Sequence, residues 1–215
     1  GAGPTHQRPQ AMDISIFLIQ LLNALQYGLL LFLVASGLTL IFGIMGIINL
    51  AHGSFYMLGA YLAWSLAGLT GNLATAILAA VPLTVLFGMA LEWLLIRRLY
   101  ERDHLFQVLL TYGLILVFEE LRSIVWGDDV HGVPVPELLN ASIRLTENLS
   151  YPVYRLFISG VCLLLALGLY LLIQRTRVGM MIRAGASNRD MAQSLGINIK
   201  FIYTLVFALG VALAA

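Results

Sequence analysis

The sequence predicts an all-α polytopic membrane protein, and composition is the first observation behind this prediction. Hydrophobic residues make up 60% of the 215 residues and charged residues only 11%. Ordinary soluble domains carry roughly 25% charged residues, and a soluble fold of this length could not hide so much apolar surface. A lipid bilayer tolerates such a composition because it solvates apolar side chains. The net charge of +1 excludes a generally basic protein that binds nucleic acid.

The second observation is the length of the apolar runs, since about 20 apolar residues cross the hydrocarbon core as a helix. Pro82 lies inside the third run. Membrane helices tolerate an internal proline when neighbouring groups bond to the carbonyl that it leaves without a partner. A sixth run starts near Phe201 and stops at Ala215. We therefore expect a bundle of five complete transmembrane helices plus a truncated sixth, in a C-terminally incomplete chain. The five complete runs cover about 17–42, 54–70, 73–96, 105–126 and 153–173.

The N-terminal residues have a different composition from the rest of the chain. Residues 1–11, GAGPTHQRPQA, are polar and irregular. We interpret them as a tail or an expression remnant, with Met12 as the native start.

Lysine and arginine placement predicts the orientation, because cytoplasmic loops carry an excess of positive charge. The loop of about 127–152 carries four acidic residues against Arg144 alone. We therefore place this loop and the N-terminus outside, and the basic loops in the cytoplasm. Glu92, a few residues before Arg97 and Arg98, then marks the cytoplasmic end of the third run. Eight of the twelve basic residues follow the third or fifth run: Arg97, Arg98, Arg102, Arg175, Arg177, Arg183, Arg189 and Lys200.

Metal and enzyme chemistry have no support in the sequence. Cys162 is the only cysteine, so an intramolecular disulfide and a thiolate metal cluster are excluded. The four histidines are far apart, and the runs contain no Ser–Lys, Asp–Asp or His–Glu constellation. We expect a non-catalytic protein without a metal or a cofactor.

The segment between the first two runs is a candidate substrate path. Gly43, Gly46 and Gly53 allow the backbone to bend or another helix to approach closely. A helix broken at such a place can line a path for a substrate. Asn49 and His52 are the strongly polar side chains at its start. The alternative interpretation is a tight turn at the membrane surface, with both side chains solvated by head groups.

Three charged residues, Glu119, Glu120 and Arg122, fall near the outer end of the fourth run. Charges inside lipid are costly and are candidates for function by default. Glu119 and Arg122 are close enough on one helix face to pair, and we favour an interfacial pair beside Trp126. In a stand-alone channel or secondary carrier, the two carboxylates would instead couple transport to an ion.

The stretch AGASNRDMAQSLG (184–196) is a polar insert between two apolar runs, on the side that the charges mark as cytoplasmic. Ser187 followed by Asp190 is a capping-box pattern, which predicts a helix starting near Asn188. Gly196 suits a left-handed helix end.

The predicted helix carries a small apolar ridge, because Met191 and Leu195 lie four residues apart on one face. This helix could lie on the membrane surface. The ridge is a weak lipid anchor but an adequate peg for a protein groove. The spacing therefore favours docking to a cytosolic partner.

Two segments of the chain resemble the permease subunits of branched-chain amino-acid ABC importers: GLTLIFGIMGIINLAHGSFYMLGAYLA (37–63) and MIRAGASNRDMAQSLGIN (181–198). Their order and separation match as well, and the resemblance runs from about Met12 to Ala215. It implies that 12–215 form a transmembrane permease domain in the bacterial plasma (inner) membrane. Members of this family are longer, with further spans beyond this point.

The resemblance also implies a function and partners. Such permeases form a pore with a second permease subunit, two cytosolic ABC ATPase subunits that hydrolyse ATP, and an extracytoplasmic substrate-binding protein. Their substrates are leucine, isoleucine, valine and related amino acids, although close relatives carry urea or short amides. Asn49, His52 and Gly53 match the first segment. The second segment matches the family's coupling loop, which assigns ATPase coupling to Ala184, Arg189, Ala192 and Gly196, together with Ser187, Asp190, Met191 and Leu195 of the same insert.

Overall fold

The computed structural model describes residues 14–133, 135–146 and 149–215, so the predicted tail at 1–11 lies outside the described residues. Helices dominate this part of the chain, and one short β-hairpin, which we did not predict, joins α4 to α5. The elements are α1 (Ile14–Met45), α2 (His52–Thr70), α3 (Leu73–Leu94), α4 (His104–Trp126), β1 (Ser142–Thr146), β2 (Leu149–Pro152), α5 (Val153–Arg175), α6 (Arg177–Ser187), α7 (Arg189–Ser194) and α8 (Ile199–Ala214), with 3₁₀ turns at Ile96–Leu99 and Glu137–Leu139.

Asparagine side chains begin several of these helices. Asn72 accepts a hydrogen bond from the Ala74 N–H at 2.9 Å at the start of α3, and Asn198 accepts one from the Phe201 N–H at 3.2 Å at the start of α8. Both bonds satisfy backbone donors that the first helical turn leaves without a partner. The α3 helix continues through Pro82, as predicted.

Within the described part of the chain, three helices are long and apolar enough to cross a membrane: Ile16–Met45, Leu73–Leu94 and Val153–Arg175. The remaining predicted runs coincide with α2, α4 and the shorter apolar helix Ile199–Ala214. The prediction of a mostly helical membrane protein is therefore confirmed. The exact number of complete spans stays a prediction.

The α8 helix lies at the centre of the bundle and packs against α1, α2 and α3. It crosses α1 at two glycines, where the backbones nearly touch. A Cβ added to Gly37 would lie 2.7 Å from the Gly210 carbonyl oxygen, and one added to Gly210 would lie 2.6 Å from Ile41 Cδ1. Small residues at a helix crossing permit this close approach. The buried residues of α8 are Ile199, Ile202, Tyr203, Val206, Phe207, Gly210, Val211 and Ala214.

The loops collect at two opposite ends of the bundle. The connection between α1 and α2, the turn between α3 and α4, and α6–α7 lie at one end, which we call the basic end. The β-hairpin and the start of α5 lie at the other, acidic end, where Arg155 Nη1 donates to Asn23 Oδ1 at 2.5 Å. The basic loops and the acidic loop thus lie at opposite ends of the bundle, as we expected from the placement of the charged residues. The orientation of the bundle in the membrane stays a prediction.

Candidate functional site

The connection between α1 and α2, residues 46–51, is a structured break at the basic end. Gly46 ends α1 in the left-handed region with φ +67°, where glycine is favoured. Asn49 then shapes the turn into α2. Its Oδ1 accepts from the Ala51 N–H at 3.1 Å, and its backbone carbonyl accepts from the His52 N–H at 3.3 Å. A short amide side chain that bonds to the backbone two residues on favours such a turn.

Asn49 and His52 are each only 2% exposed, which contradicts the interpretation that head groups solvate them. His52 Nε2 lies 3.1 Å from the Val34 carbonyl oxygen. Because a carbonyl can only accept, Nε2 carries a proton and Nδ1 of the neutral ring is an acceptor. That Nδ1 and the Asn49 Nδ2 donor have no hydrogen-bond partner among the described residues. The break therefore holds one buried donor and one buried acceptor.

Two of the predicted glycines do not contribute a close contact. A Cβ on Gly43 or Gly53 would meet nothing within 4 Å among the described residues, and neither has a positive φ. Of the three glycines predicted to bend the chain, only Gly46 adopts a backbone conformation that requires glycine.

Gln107 of α4 holds the break in place, and sequence reasoning missed it. Its Oε1 accepts from the Ile48 N–H at 3.3 Å, while its Nε2 donates to the carbonyls of Leu99 at 3.2 Å and Arg102 at 3.3 Å. The side chain is buried. It therefore joins α4, the turn before it and the α1–α2 break through three hydrogen bonds.

We expect Gln107→Leu to lower the free energy of unfolding by about 1–3 kcal/mol, because buried backbone groups lose their partners. Thermal unfolding of the purified protein in detergent measures this loss. Gln20→Leu is the control, since Gln20 is exposed on α1. Equal stability of the Gln107 and Gln20 variants would show that the three bonds contribute nothing.

The insert holds the last residues of α6 followed by the whole of α7. The prediction that Ser187 caps a helix is wrong, because α6 continues through Ser187. Asn188 is the cap of α7, in an extended conformation, and its Oδ1 accepts from the Met191 N–H at 2.9 Å. Asparagine caps helices as well as serine does. The α7 helix has 6 residues. Gly196 ends this region with φ +86°, which confirms the left-handed end.

One face of α7 is exposed and carries the predicted apolar ridge, and the opposite face is buried against the bundle. Met191 and Leu195 are 63% and 75% exposed, and Asp190 is also exposed. Ala192 is only 3% exposed and belongs to the hydrophobic core, against which half-buried Ala184 packs. Ala192 therefore fixes α7 to the bundle, and it cannot contact a partner in this arrangement as the resemblance implied.

Arg189 attaches α7 to two other helices. Its Nη2 donates to the Met45 carbonyl at the end of α1 at 3.4 Å. Its guanidinium carbon also lies 5.1 Å from the centre of the Tyr203 ring on α8, within the range of a cation–π interaction. The same residue thus touches the α1–α2 break and the central helix.

Glu92 lies beside this attachment and is completely buried, with 0% exposure. Its Oε1 lies 3.4 Å from Arg97 Nε, and Thr204 Oγ1 lies 3.2 Å from its Oε2. The Tyr100 hydroxyl donates to the same carboxylate. Burial, followed by the contact with Glu92, raises the pKa of Tyr100, so the phenol stays protonated as a donor. The sequence marked Glu92 only as a helix end, although it joins α3 to α8.

The charged residues of α4 are arranged differently from the prediction. Arg122 does not pair with Glu119; its Nη2 donates to Asp128 Oδ1 at 2.9 Å and its Nη1 to the Gly127 carbonyl at 2.9 Å. The chain turns at Gly127, which brings Asp128 back to the helix. Glu119 and Glu120 are exposed. Among the residues the structure describes, no group of three or more His, Cys, Asp or Glu side chains is arranged to hold a metal ion.

Comparison with known proteins agrees with this architecture. The high-affinity branched-chain amino acid transport system permease protein BraD of Pseudomonas aeruginosa is 32% identical over 218 residues, covering 94% of this chain and 70% of the relative. LivH of Escherichia coli K12, also a high-affinity branched-chain amino acid transport system permease protein, is 30% identical over 212 residues. The match covers 93% of this chain and 68% of LivH. A probable branched-chain amino acid transport permease of Methanocaldococcus jannaschii is 29% identical over 197 residues, covering 83% and 58%.

No solved structure matches the chain at a significant level. The family model described as the permease component of branched-chain amino acid transport systems matches residues 20–215. These relatives are named as permease proteins of transport systems, which agrees with the predicted class of protein. The chain belongs to the family of branched-chain amino acid transport system permeases.

Proposed function

We propose that this chain is the membrane-spanning permease subunit of an ABC importer that carries branched-chain or related small amino acids into the cytoplasm. The observation that carries the proposal is the form of α7. Its Met191 and Leu195 are exposed, while Ala192 is buried and Arg189 bonds to α1. A ridge on a firmly attached base can receive force from a soluble partner and pass it to the helices.

In this proposal the chain crosses the inner membrane several times with its N-terminus outside. The helices α1 to α5 are complete spans, and α8 is part of a sixth. The basic end then faces the cytoplasm and the acidic end faces outward. The separation of Arg97, Arg98 and Arg102 from Asp128 and Asp129 at opposite ends of α4 supports this orientation.

The partners follow from the family. Two cytosolic ATPase subunits hydrolyse ATP, a second permease subunit completes the pore, and an extracytoplasmic binding protein delivers the substrate. The ridge of Met191 and Leu195 fits a groove on an ATPase subunit, because two exposed apolar side chains on a short rigid element make an anchor for a protein pocket. Asp190 and Ser187 border the ridge, and Gly196 turns the chain back toward α8.

The α1–α2 break lines the substrate path. Asn49 and His52 offer a buried donor and a buried acceptor at the cytoplasmic end of the bundle. An amino-acid zwitterion carries both kinds of group, so it can bond with either side chain when the helices around the break move apart and expose them. Gly46 bends the chain here, and Gly43 and Gly53 leave the flanking helix surfaces without side chains.

The proposal is tested by cross-linking in the complete transporter, in a background in which the buried Cys162 is replaced by serine. We expect Met191→Cys and Leu195→Cys to form cross-links with an ATPase subunit. Val130→Cys, at the acidic end and 99% exposed, is the control and should form none. If the two α7 positions never trap an ATPase subunit, and the subunit alone supports flux in proteoliposomes, the protein is a passive channel or carrier.

A further inference from the structure

A buried charge network holds α3 and α8 together at the basic end of the bundle. Glu92 of α3 accepts from Thr204 of α8 at 3.2 Å, and Arg97 Nη2 donates to the same Thr204 hydroxyl at 2.9 Å. A buried carboxylate costs several kcal/mol unless it is paired and hydrogen-bonded. The position of α8 against α3 therefore decides whether Glu92 keeps its bond to Thr204, one of its three side-chain partners.

Aromatic rings connect this network to α7. The ring of Tyr100, whose hydroxyl donates to Glu92, meets the ring of Tyr203 edge to face at 5.1 Å and 88°. On Tyr203, the guanidinium of Arg189 lies 5.1 Å from the ring centre. The contacts thus run without interruption from the proposed docking helix to the buried carboxylate.

We propose that Arg189 is a positioning residue, which transmits a displacement of α7 through Tyr203 and Tyr100 to Glu92 and so changes how α3 and α8 are held together. This inference rests on the proposed docking of an ATPase subunit at α7. When Arg189 moves with α7, the Tyr203 ring loses its cation and shifts against Tyr100. The Tyr100 hydroxyl then leaves Glu92.

We expect the network to switch between two arrangements rather than to change gradually, because close-packed interiors repack between discrete states. With Tyr100 bonded, Glu92 is satisfied and α8 is fixed to α3. Once that bond is lost, only Arg97 and the Thr204 hydroxyl still bond to the carboxylate, so α8 is held to α3 less firmly and can move against it. The bond from Arg189 to the Met45 carbonyl means that the same displacement also pulls on the α1–α2 break.

The experiment measures substrate uptake and ATP hydrolysis together, in the complete transporter reconstituted into proteoliposomes. We expect Arg189→Gln to lower uptake per ATP hydrolysed by about tenfold, within the 5–150-fold range of typical coupling energies. Arg183→Gln is the matched control, because Arg183 lies on α6 just before the insert but bonds to the end of α5, at 2.6 Å from the Ile173 carbonyl. Its uptake per ATP should be unchanged.

A second pair of variants separates the ring of Tyr203 from its hydroxyl. The hydroxyl is buried and has no hydrogen-bond partner among the described residues, so Tyr203→Phe should couple normally. Tyr203→Leu removes the ring and should uncouple transport as Arg189→Gln does. Equal uptake per ATP in Tyr203→Leu and Tyr203→Phe would overturn the inference.

A structural role for Arg189 predicts a different result, in which uptake and ATP hydrolysis fall together and their ratio stays constant. That outcome would also overturn the inference. The cross-links from Met191→Cys and Leu195→Cys distinguish the two proposals. If the cross-links form and uptake per ATP hydrolysed is unchanged in Arg189→Gln, the proposed transmission through Arg189 is wrong, while docking at α7 still holds. If the cross-links do not form, the proposed function itself fails.

Discussion

Gly37→Leu is expected to prevent α1 from packing on α8 and to destabilise the bundle by about 3 kcal/mol, the upper end of the cost of overpacking. The reason is that even a Cβ at Gly37 would lie 2.7 Å from the Gly210 carbonyl oxygen, a backbone atom that cannot rotate away. Folded domains are stable by only about 5–15 kcal/mol, so the loss is a large fraction of the total. The yield of monodisperse protein in detergent and its thermal unfolding measure the effect.

Gly28→Leu is the matched control for this prediction. Gly28 lies on the same helix, and a Cβ there would meet nothing within 4 Å among the described residues. The substitution makes the same change in composition and in helix propensity, so any difference between the two variants comes from the contact with Gly210. Equal yield and equal unfolding temperature would show that the crossing of α1 and α8 does not hold the bundle together.

Gly196→Val is expected to lower uptake by the complete transporter by more than about tenfold, while membrane insertion stays normal. A residue with a Cβ pays roughly 1–2 kcal/mol in the left-handed conformation, which Gly196 adopts with φ +86°. The α7 helix has 6 residues, and short helices depend on their ends and their tertiary contacts for stability. Loss of its end therefore displaces Leu195 and Met191 from the positions proposed for docking. Uptake of radiolabelled leucine in cells with all partner subunits measures this loss.

Gly71→Val separates the docking effect from the general cost of backbone strain. Gly71 has φ +68° at the turn between α2 and α3, and a Cβ there would also meet nothing within 4 Å of the described residues. Its backbone penalty is therefore similar, but it lies at the acidic end. We expect its uptake to remain near normal. Unchanged uptake in Gly196→Val, or an equal loss in Gly71→Val, would contradict the role of α7 in coupling.

The helices were predictable because hydropathy and chain length mark them directly. The predicted run 105–126 became His104–Trp126, and 73–96 became Leu73–Leu94. Local chemistry at the boundary of α7 was harder to predict. Ser187 and Asn188 are adjacent and both cap helices well, so the choice depends on where the preceding helix ends. The amphipathic α6 continues through Ser187, which leaves Asn188 as the cap.

The polar network at the basic end could not be predicted, because its partners are distant in the sequence. Glu92 meets Thr204, 112 residues away, and Gln107 meets Ile48, 59 residues away. No local pattern indicates which of two charged residues is paired and which is exposed. The same limit explains Arg122, whose helix neighbour Glu119 was the obvious partner. The turn at Gly127 supplies Asp128 instead.

The crossing of Gly37 and Gly210 has a consequence for biosynthesis, because it joins segments made at very different times. The α1 helix is complete at Met45, but its main neighbour begins only at Ile199. At about 5–20 residues per second, α1 waits on the order of 10–30 s before the central helix emerges from the ribosome. The early helices must therefore enter the bilayer without their central neighbour, and the interior around α8 consolidates in one late step.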